Sequence, residues 1–330
     1  MQEQEFGSRG EFDLQPDPRL LPMLGEIDLD PWRCIAELVD NSVDGFLNAK
    51  RAGAPVDAPL VEITLPVKPL ADSRIAVHDN GPGMDSATLE RAVRAGYSGN
   101  APLDSLGLFG MGFNIATARL GATTTVWSTR AGDDLVHGVR IDFADLRSRR
   151  SFRTPHLVQS KADPTAHYTR VEITNLKPEQ RNEIARASEQ RTIRSMLARS
   201  YASMLRSGGD PIHFSLKVND VKLDGKRHCV WGEDRTVTVP GVGIVSAFRS
   251  FDHRLPIGSV VCDNCLASML EIDLDDGRCL GCGRNDSLHR RERRIRGWLG
   301  LQRYLSTTDY GIDFIRNGRK IEIANKELFL

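Results

Sequence analysis

The sequence predicts an α/β protein: an α/β sandwich, with a mixed sheet covered by helices, followed by a smaller α/β domain. Three observations carry this. Short alternating apolar runs recur at 61–66, 74–79, 122–129, 135–143 and 168–175. Between them, helical spacing of apolar residues marks 31–50, 86–95 and 112–120. Strands and helices interspersed in this way fit helices laid over a sheet face. The 330 residues are enough for two domains.

The first helix opens on Asp30-Pro31. Asp is suited to accept a backbone N–H at the N-cap, and Pro fits the first turn. Ile35, Leu38, Val39, Ser42 and Phe46 make its apolar face. Glu37, Asn41 and Asp44 fall at i, i+4 and i+7 and share another. A lone stripe of this kind is more often a solvated face. The alternative is a site for metal and water. An amide oxygen from Asn41 suits Mg²⁺, which prefers oxygen ligands. Glu37, one turn earlier, is placed to take a proton from an attacking water.

The run at 74–79 ends in His78-Asp79-Asn80-Gly81-Pro82-Gly83-Met84. Gly81, Pro82 and Gly83 force a turn and let a ligand approach the backbone. Asp79, at the strand end, can accept a hydrogen bond from an exocyclic amine, although an ordinary Asp-Asn-Gly turn reads the same way. Asp85 is placed as the next helix's N-cap and Gly96 as its stop. Residues 96–112 hold five glycines, at 96, 99, 107, 110 and 112, and lead into the helix from Gly112. A Gly-rich loop feeding a helix N-terminus offers backbone N–H groups to phosphates. There is no Walker A lysine pattern.

Taken together, Glu37…Asn41…Asp44, Asp79-Asn-Gly81-Pro-Gly83-Met84 and Gly107-Leu108-Phe109-Gly110-Met111-Gly112-Phe113 resemble the nucleotide site of the GHKL ATPases. That family includes type II topoisomerases, MutL, the ninety-kilodalton heat-shock chaperones, histidine kinases and the microrchidia (MORC) proteins. The resemblance implies the Bergerat fold, ATP and Mg²⁺. It implies Glu37 as general base, Asn41 as Mg²⁺ ligand, Asp79 as reader of the adenine amine and Met84 as packing on the base. It makes the stretch holding Ser98 and residues 107–113 the ATP lid. Thr169 matches the hydroxyl that supports adenine, although Tyr168 stands where the family has Gly. The closing segment, Tyr310 to Ile321 with a hairpin turn at Asn317-Gly318, resembles the transducer (S5-like) strand and turn of MORC-type ATPases. There the second domain sends a lysine to the nucleotide. Lys326 and Lys320 are the candidates here.

The expected organisation is a flexible segment at 1–20, the ATP-binding domain at 21–177 and the transducer-like domain at 178–330. The second half should open on one long helix near 178–206. Strands should follow at 212–224, 235–248, 294–304 and 310–323. Because the chain ends soon after the last turn, a minimal core of a longer protein is expected.

Cys262, Cys265, Cys279 and Cys282 form C-x-x-C…C-x-x-C with thirteen residues between the pairs. The spacing suits a closed tetrahedral Zn²⁺ of structural type; reduced or disulfide-bonded pairs are the alternative. Cys34 and Cys229 are expected to be packed thiols. Two basic clusters, Arg147–Arg153 and Arg290–Arg296, could meet a phosphate backbone or simply face water.

The formal charge is zero, from 44 basic and 44 acidic residues, with 40% hydrophobic residues. That argues against a strongly basic nucleic-acid coat but leaves room for a patch. No apolar run reaches the roughly 18 residues of a membrane helix, so no membrane partner is expected. The N-terminus lacks the apolar core of a secretory signal. A cytoplasmic setting follows, nucleoid-associated in a bacterium or nuclear in a eukaryote.

The leading functional reading is an ATP-gated clamp that forms a nucleotide-dependent homodimer, with DNA as cargo. Its competitors are a chaperone of the heat-shock class and a zinc-stabilised DNA-binding module that senses nucleotide without turnover. A histidine kinase is disfavoured, because no histidine-bearing dimerisation helix precedes the motifs.

Overall fold

Eight strands from both halves of the chain build one mixed sheet, which positions the site. The computed structural model describes residues 20–96, 106, 110–265, 267–274 and 276–327. The expected flexible segment 1–20 lies, apart from residue 20, outside the described residues.

Helix α1 (Leu20–Leu24) precedes α2 (Pro31–Arg51), β1 (Leu60–Thr64) and β2 (Ile75–Asp79). Then come α3 (Ser86–Val93), α4 (Gly112–Leu120), β3 (Gly121–Thr129) and β4 (Leu135–Asp142). They are followed by α5 (Phe143–Arg149), β5 (His156–Ser160), β6 (Tyr168–Leu176), α6 (Pro178–Ile184) and α7 (Ala187–Ser200). Strands β7 (Ser215–Val218) and β8 (Val221–Lys222) complete the sheet, whose order is β5-β4-β3-β6-β2-β1-β7-β8.

All neighbours in the sheet are antiparallel except β1 and β7, which pair parallel from Leu60↔Ser215 to Ile63↔Val218. The sheet therefore continues past residue 177, where the second domain was expected to begin. Helices α2 and α7 pack against its inner side around Ile35, Val39, Phe46, Ile193, Leu197 and Phe214, all essentially without exposure.

Two local expectations differ from the structure. Asp30 stands at the N-cap of α2 without a side-chain cap bond. It pairs instead with Arg33, at 3.5 Å. The single helix expected at 178–206 is broken at Ala185–Arg186. Ile184 and Ile193 are both fully buried. On one continuous helix their spacing would point them to opposite sides, so the break lets both reach the core.

The rest of the chain is built of small sheets. Strands β9 (Thr236–Val239) and β10 (Gly243–Ser246) form a hairpin. Strand β11 (Phe248–Arg254) pairs with the later β15 (Arg294–Gly300) as a two-stranded ribbon. Between them, β12 (Ser259–Cys262), β13 (Ser268–Leu270) and β14 (Leu288–Arg291) make a three-stranded sheet that carries the cysteines. Strands β16 (Ile312–Arg316) and β17 (Arg319–Asn325) close as a hairpin across Asn317-Gly318.

Candidate functional site

The loop after β2, the lid end before α4 and the polar stripe of α2 meet around a cavity of about 910 Å³. That is within the range of sites for nucleotide-sized ligands.

At one end, Asp79 is buried and accepts hydrogen bonds from Ser42 Oγ and Gly81 N, both at 2.8 Å. Burial raises its carboxyl above the usual range. Thr169 is its direct partner across the β2–β6 pairing. The Thr169 hydroxyl meets Ser128 Oγ at 2.9 Å, and Ser128 Oγ in turn accepts from Met84 N. Gly83 has φ +70°, and a Cβ there would collide with the Thr129 carbonyl. Met84, Val126 and Val171 give this end an apolar wall.

Glu37, Asn41 and Asp44 line the same cavity. Gly112, the first residue of α4, packs so closely on the Glu37 carboxylate that a Cβ would displace it. The carboxylate therefore faces a helix N-terminus, where negative charge is favoured. Asp44 is buried and accepts from Leu106 N at 2.8 Å, tying α2 to the lid end. Gly110, Met111 and Phe113 also line the cavity. Ser98, Gly107, Leu108 and Phe109 lie outside the described residues.

The structure does not bring Lys326 to this cavity. Its ammonium donates to the Thr307 carbonyl at 2.7 Å and lies 4.7 Å from the Tyr310 ring centre. Lys320 is buried beside Asp313 and His228. The cations that face the cavity from the β16–β17 hairpin are Arg316 and Arg319. Arg319 pairs closely with Asp40 and has Glu37 Oε1 at 3.7 Å. The hairpin is held in place by Ser203, whose hydroxyl donates to the Gly318 carbonyl.

Asp40 and Tyr201 were not singled out by the sequence. Tyr201 Oη contacts both Ala36 O at 2.9 Å and Asp40 Oδ1 at 2.7 Å. A phenol has one hydrogen, and a carbonyl only accepts, so both bonds form when Asp40 carries a proton. Burial pushes the Asp40 carboxyl up to about 8 against the opposing pull of Arg319.

In the second half, the four cysteine sulfurs lie within 4.8 Å of one another. The closest pairs are 3.6 Å (Cys262–Cys282) and 3.4 Å (Cys265–Cys279). A disulfide needs about 2.05 Å, whereas a tetrahedron with metal–sulfur bonds of about 2.3 Å has edges near 3.8 Å. The donor set fits a metal. Cys34 is fully buried, and burial raises its thiol to about 12. Cys229, expected to be packed, is exposed beside the isolated bridge Val230↔Gln302.

Comparison with known proteins agrees with this geometry. Residues 29–181 match the model of the histidine kinase-, DNA gyrase B- and HSP90-like ATPases. MICRORCHIDIA 2 of Arabidopsis thaliana is 37% identical over 100 residues, covering 30% of this chain and 15% of that protein. MICRORCHIDIA 1 of the same plant is 34% identical over 100 residues, with the same coverage. MICRORCHIDIA 3 is 36% identical over 100 residues, covering 30% of this chain and 16% of that protein. The matched stretch is thus a small part of each relative. Residues 29–181 match a GHKL-type ATPase domain, and the mixed sheet with its helices is consistent with that domain's Bergerat fold. Within that family the chain's likeness is to the MORC type.

Proposed function

We propose that this chain binds and hydrolyses ATP and uses the cycle to close and open a dimeric clamp on DNA. The observation that carries the hydrolysis reading is the Glu37 carboxylate seated against the N-terminus of α4, in one cavity with Asp79. Asp79 and Thr169 would hold the adenine edge, with Met84 on its face. Glu37 would take the proton of the attacking water. Asn41 and phosphate oxygens fit a magnesium ion, which supplies charge neutralisation when bound. Arg316 and Arg319, rather than Lys326, are the cations that a triphosphate would meet from the second half. The cysteine cluster would hold a structural zinc. Among the described residues no helix is long and apolar enough to cross a membrane.

The test is to compare wild-type and Glu37→Ala proteins. The variant should bind ATP but lose turnover by several orders of magnitude. Light scattering of the variant with Mg-ATP should then report a shift from monomer to dimer. Unchanged turnover would sink the assignment of Glu37. A persistent monomer would sink the clamp for this chain. Intact binding with no turnover in the wild type would favour a nucleotide sensor.

A further inference from the structure

The run Arg290–Arg296 is the most basic stretch of the second half, yet its arginines are largely committed. Arg294 pairs with Asp252 at 2.9 Å, and Arg296 with the same carboxylate at 3.7 Å. Arg254 pairs with Glu292 at 3.0 Å, and Arg290 with Glu271 at 3.8 Å. The register Asp252↔Arg296 and Arg254↔Arg294 puts most of these ion pairs on one face of the β11–β15 ribbon.

The opposite face differs. The pairs His253↔Ile295, Phe251↔Gly297 and Arg249↔Leu299 stand there, with no carboxylate among them. Gly297 leaves room for the Phe251 ring beside β15, since a Cβ would sit 2.6 Å from the tip of the ring. The ring remains 42% exposed. Beyond β15 the pairing continues: Trp231 N donates to Leu301 O, and Arg303 N to Cys229 O. Continued alternation brings Leu301 and Arg303 onto this face. Arg303 and Arg235 both lie over the Trp231 ring, at 5.0 and 4.6 Å. Among the described residues, Arg235, Arg249 and Arg303 have no carboxylate within ion-pair distance. Stacking on an indole holds a guanidinium in place while its N–H fork stays available to phosphate.

We propose that this face of the ribbon is a binding site for single-stranded nucleic acid. The charge complement is a phosphate backbone. The exposed ring of Phe251, with Ile295 and Leu299 beside it, fits unpaired bases. A duplex hides its base faces and would leave that apolar surface uncovered; a single strand presents them. The site extends the nucleic-acid part of the proposed function and needs no nucleotide in the ATP cavity.

The test uses the full chain without ATP and a labelled oligothymidylate of about 12 nucleotides, a length suited to such grooves. A duplex of the same length serves as comparison. The single strand should bind more tightly. Arg235→Ala with Arg303→Ala should lower the slope of log affinity against log salt by about 0.7 per arginine. Phe251→Ala should weaken binding roughly tenfold and leave that slope unchanged. Arg294→Ala with Arg296→Ala should have little effect. Preferred duplex binding with a neutral Phe251→Ala would overturn the proposal. So would loss of binding only in the Arg294/Arg296 variant. Absence of binding to either probe, with self-association seen by light scattering, would assign the face to a second protein chain. ATP turnover, measured on the same samples, judges the clamp reading separately.

Discussion

Gly112 and Glu37 show how much the site depends on single atoms. The glycine is required by its nearness to the carboxylate, as its backbone needs no unusual conformation. Gly112→Ala would push Glu37 off its position while leaving α4 with a better helix former. A displacement of about 1 Å can cost on the order of 100-fold in rate. Turnover assays should therefore show a large fall in kcat for Gly112→Ala with an unchanged melting temperature. A wild-type rate would mean that Glu37 is not held by this contact. The residues of this site that come from short local patterns were legible in the sequence: Glu37, Asn41, Asp79, Gly83 and Gly112. Asp40 lies inside the same motif, but its burial could not be read there. It depends on Tyr201, 161 residues away.

At the scale of elements, Asp40 joins three of them. It sits on α2, meets Tyr201 at the end of α7 and pairs with Arg319 on β17. Its carboxyl is raised to about 8, well above the ordinary carboxylate range. The folded chain thus keeps a proton that the unfolded chain gives up near pH 4. The stability this supplies is fully present in acid and is lost as pH rises through about 8. Thermal unfolding should show a midpoint that declines from about pH 5 to 8. Asp40→Asn, which cannot ionise, should flatten that decline. An identical slope in both proteins would place the titration elsewhere. The hairpin also explains why arginines rather than the expected lysine face the cavity in this structure. The turn at Asn317-Gly318 was readable from its residues, but which cation faced α2 depended on docking by Ser203 and Met204.

For the whole molecule, the two halves hold themselves together differently. The eight-stranded sheet rests on two apolar clusters, a large one around α2 and α7 and a smaller one around β3, β4 and α5. After residue 225, few apolar side chains are buried among the described residues, chiefly Ala247, Val260, Val261, Cys262 and Cys279. Two of these are cysteines of the cluster. Metal analysis should find about one zinc per chain, and chelation should loosen the 255–296 region while ATP binding persists. Loss of nucleotide binding together with the metal would show that the two halves are one cooperative unit. Strand alternation made β1 to β4 and β6 legible. It missed β5, which is mostly exposed, and the short strands around the cysteines. Their pairing is imposed by neighbours and by the cluster rather than by their own periodicity.

The parallel pairing of β1 with β7 sets a timetable for synthesis. Glu62 and its neighbour Lys217 are 155 residues apart. At about 5–20 residues per second, the ribosome needs roughly 8–30 s to deliver the second strand after the first. During that interval the outer edge of β1 has no partner, and unpaired strand edges invite pairing with other chains. The nascent protein therefore has to pass through a period of exposure that no sequence change confined to the ATP motifs would shorten.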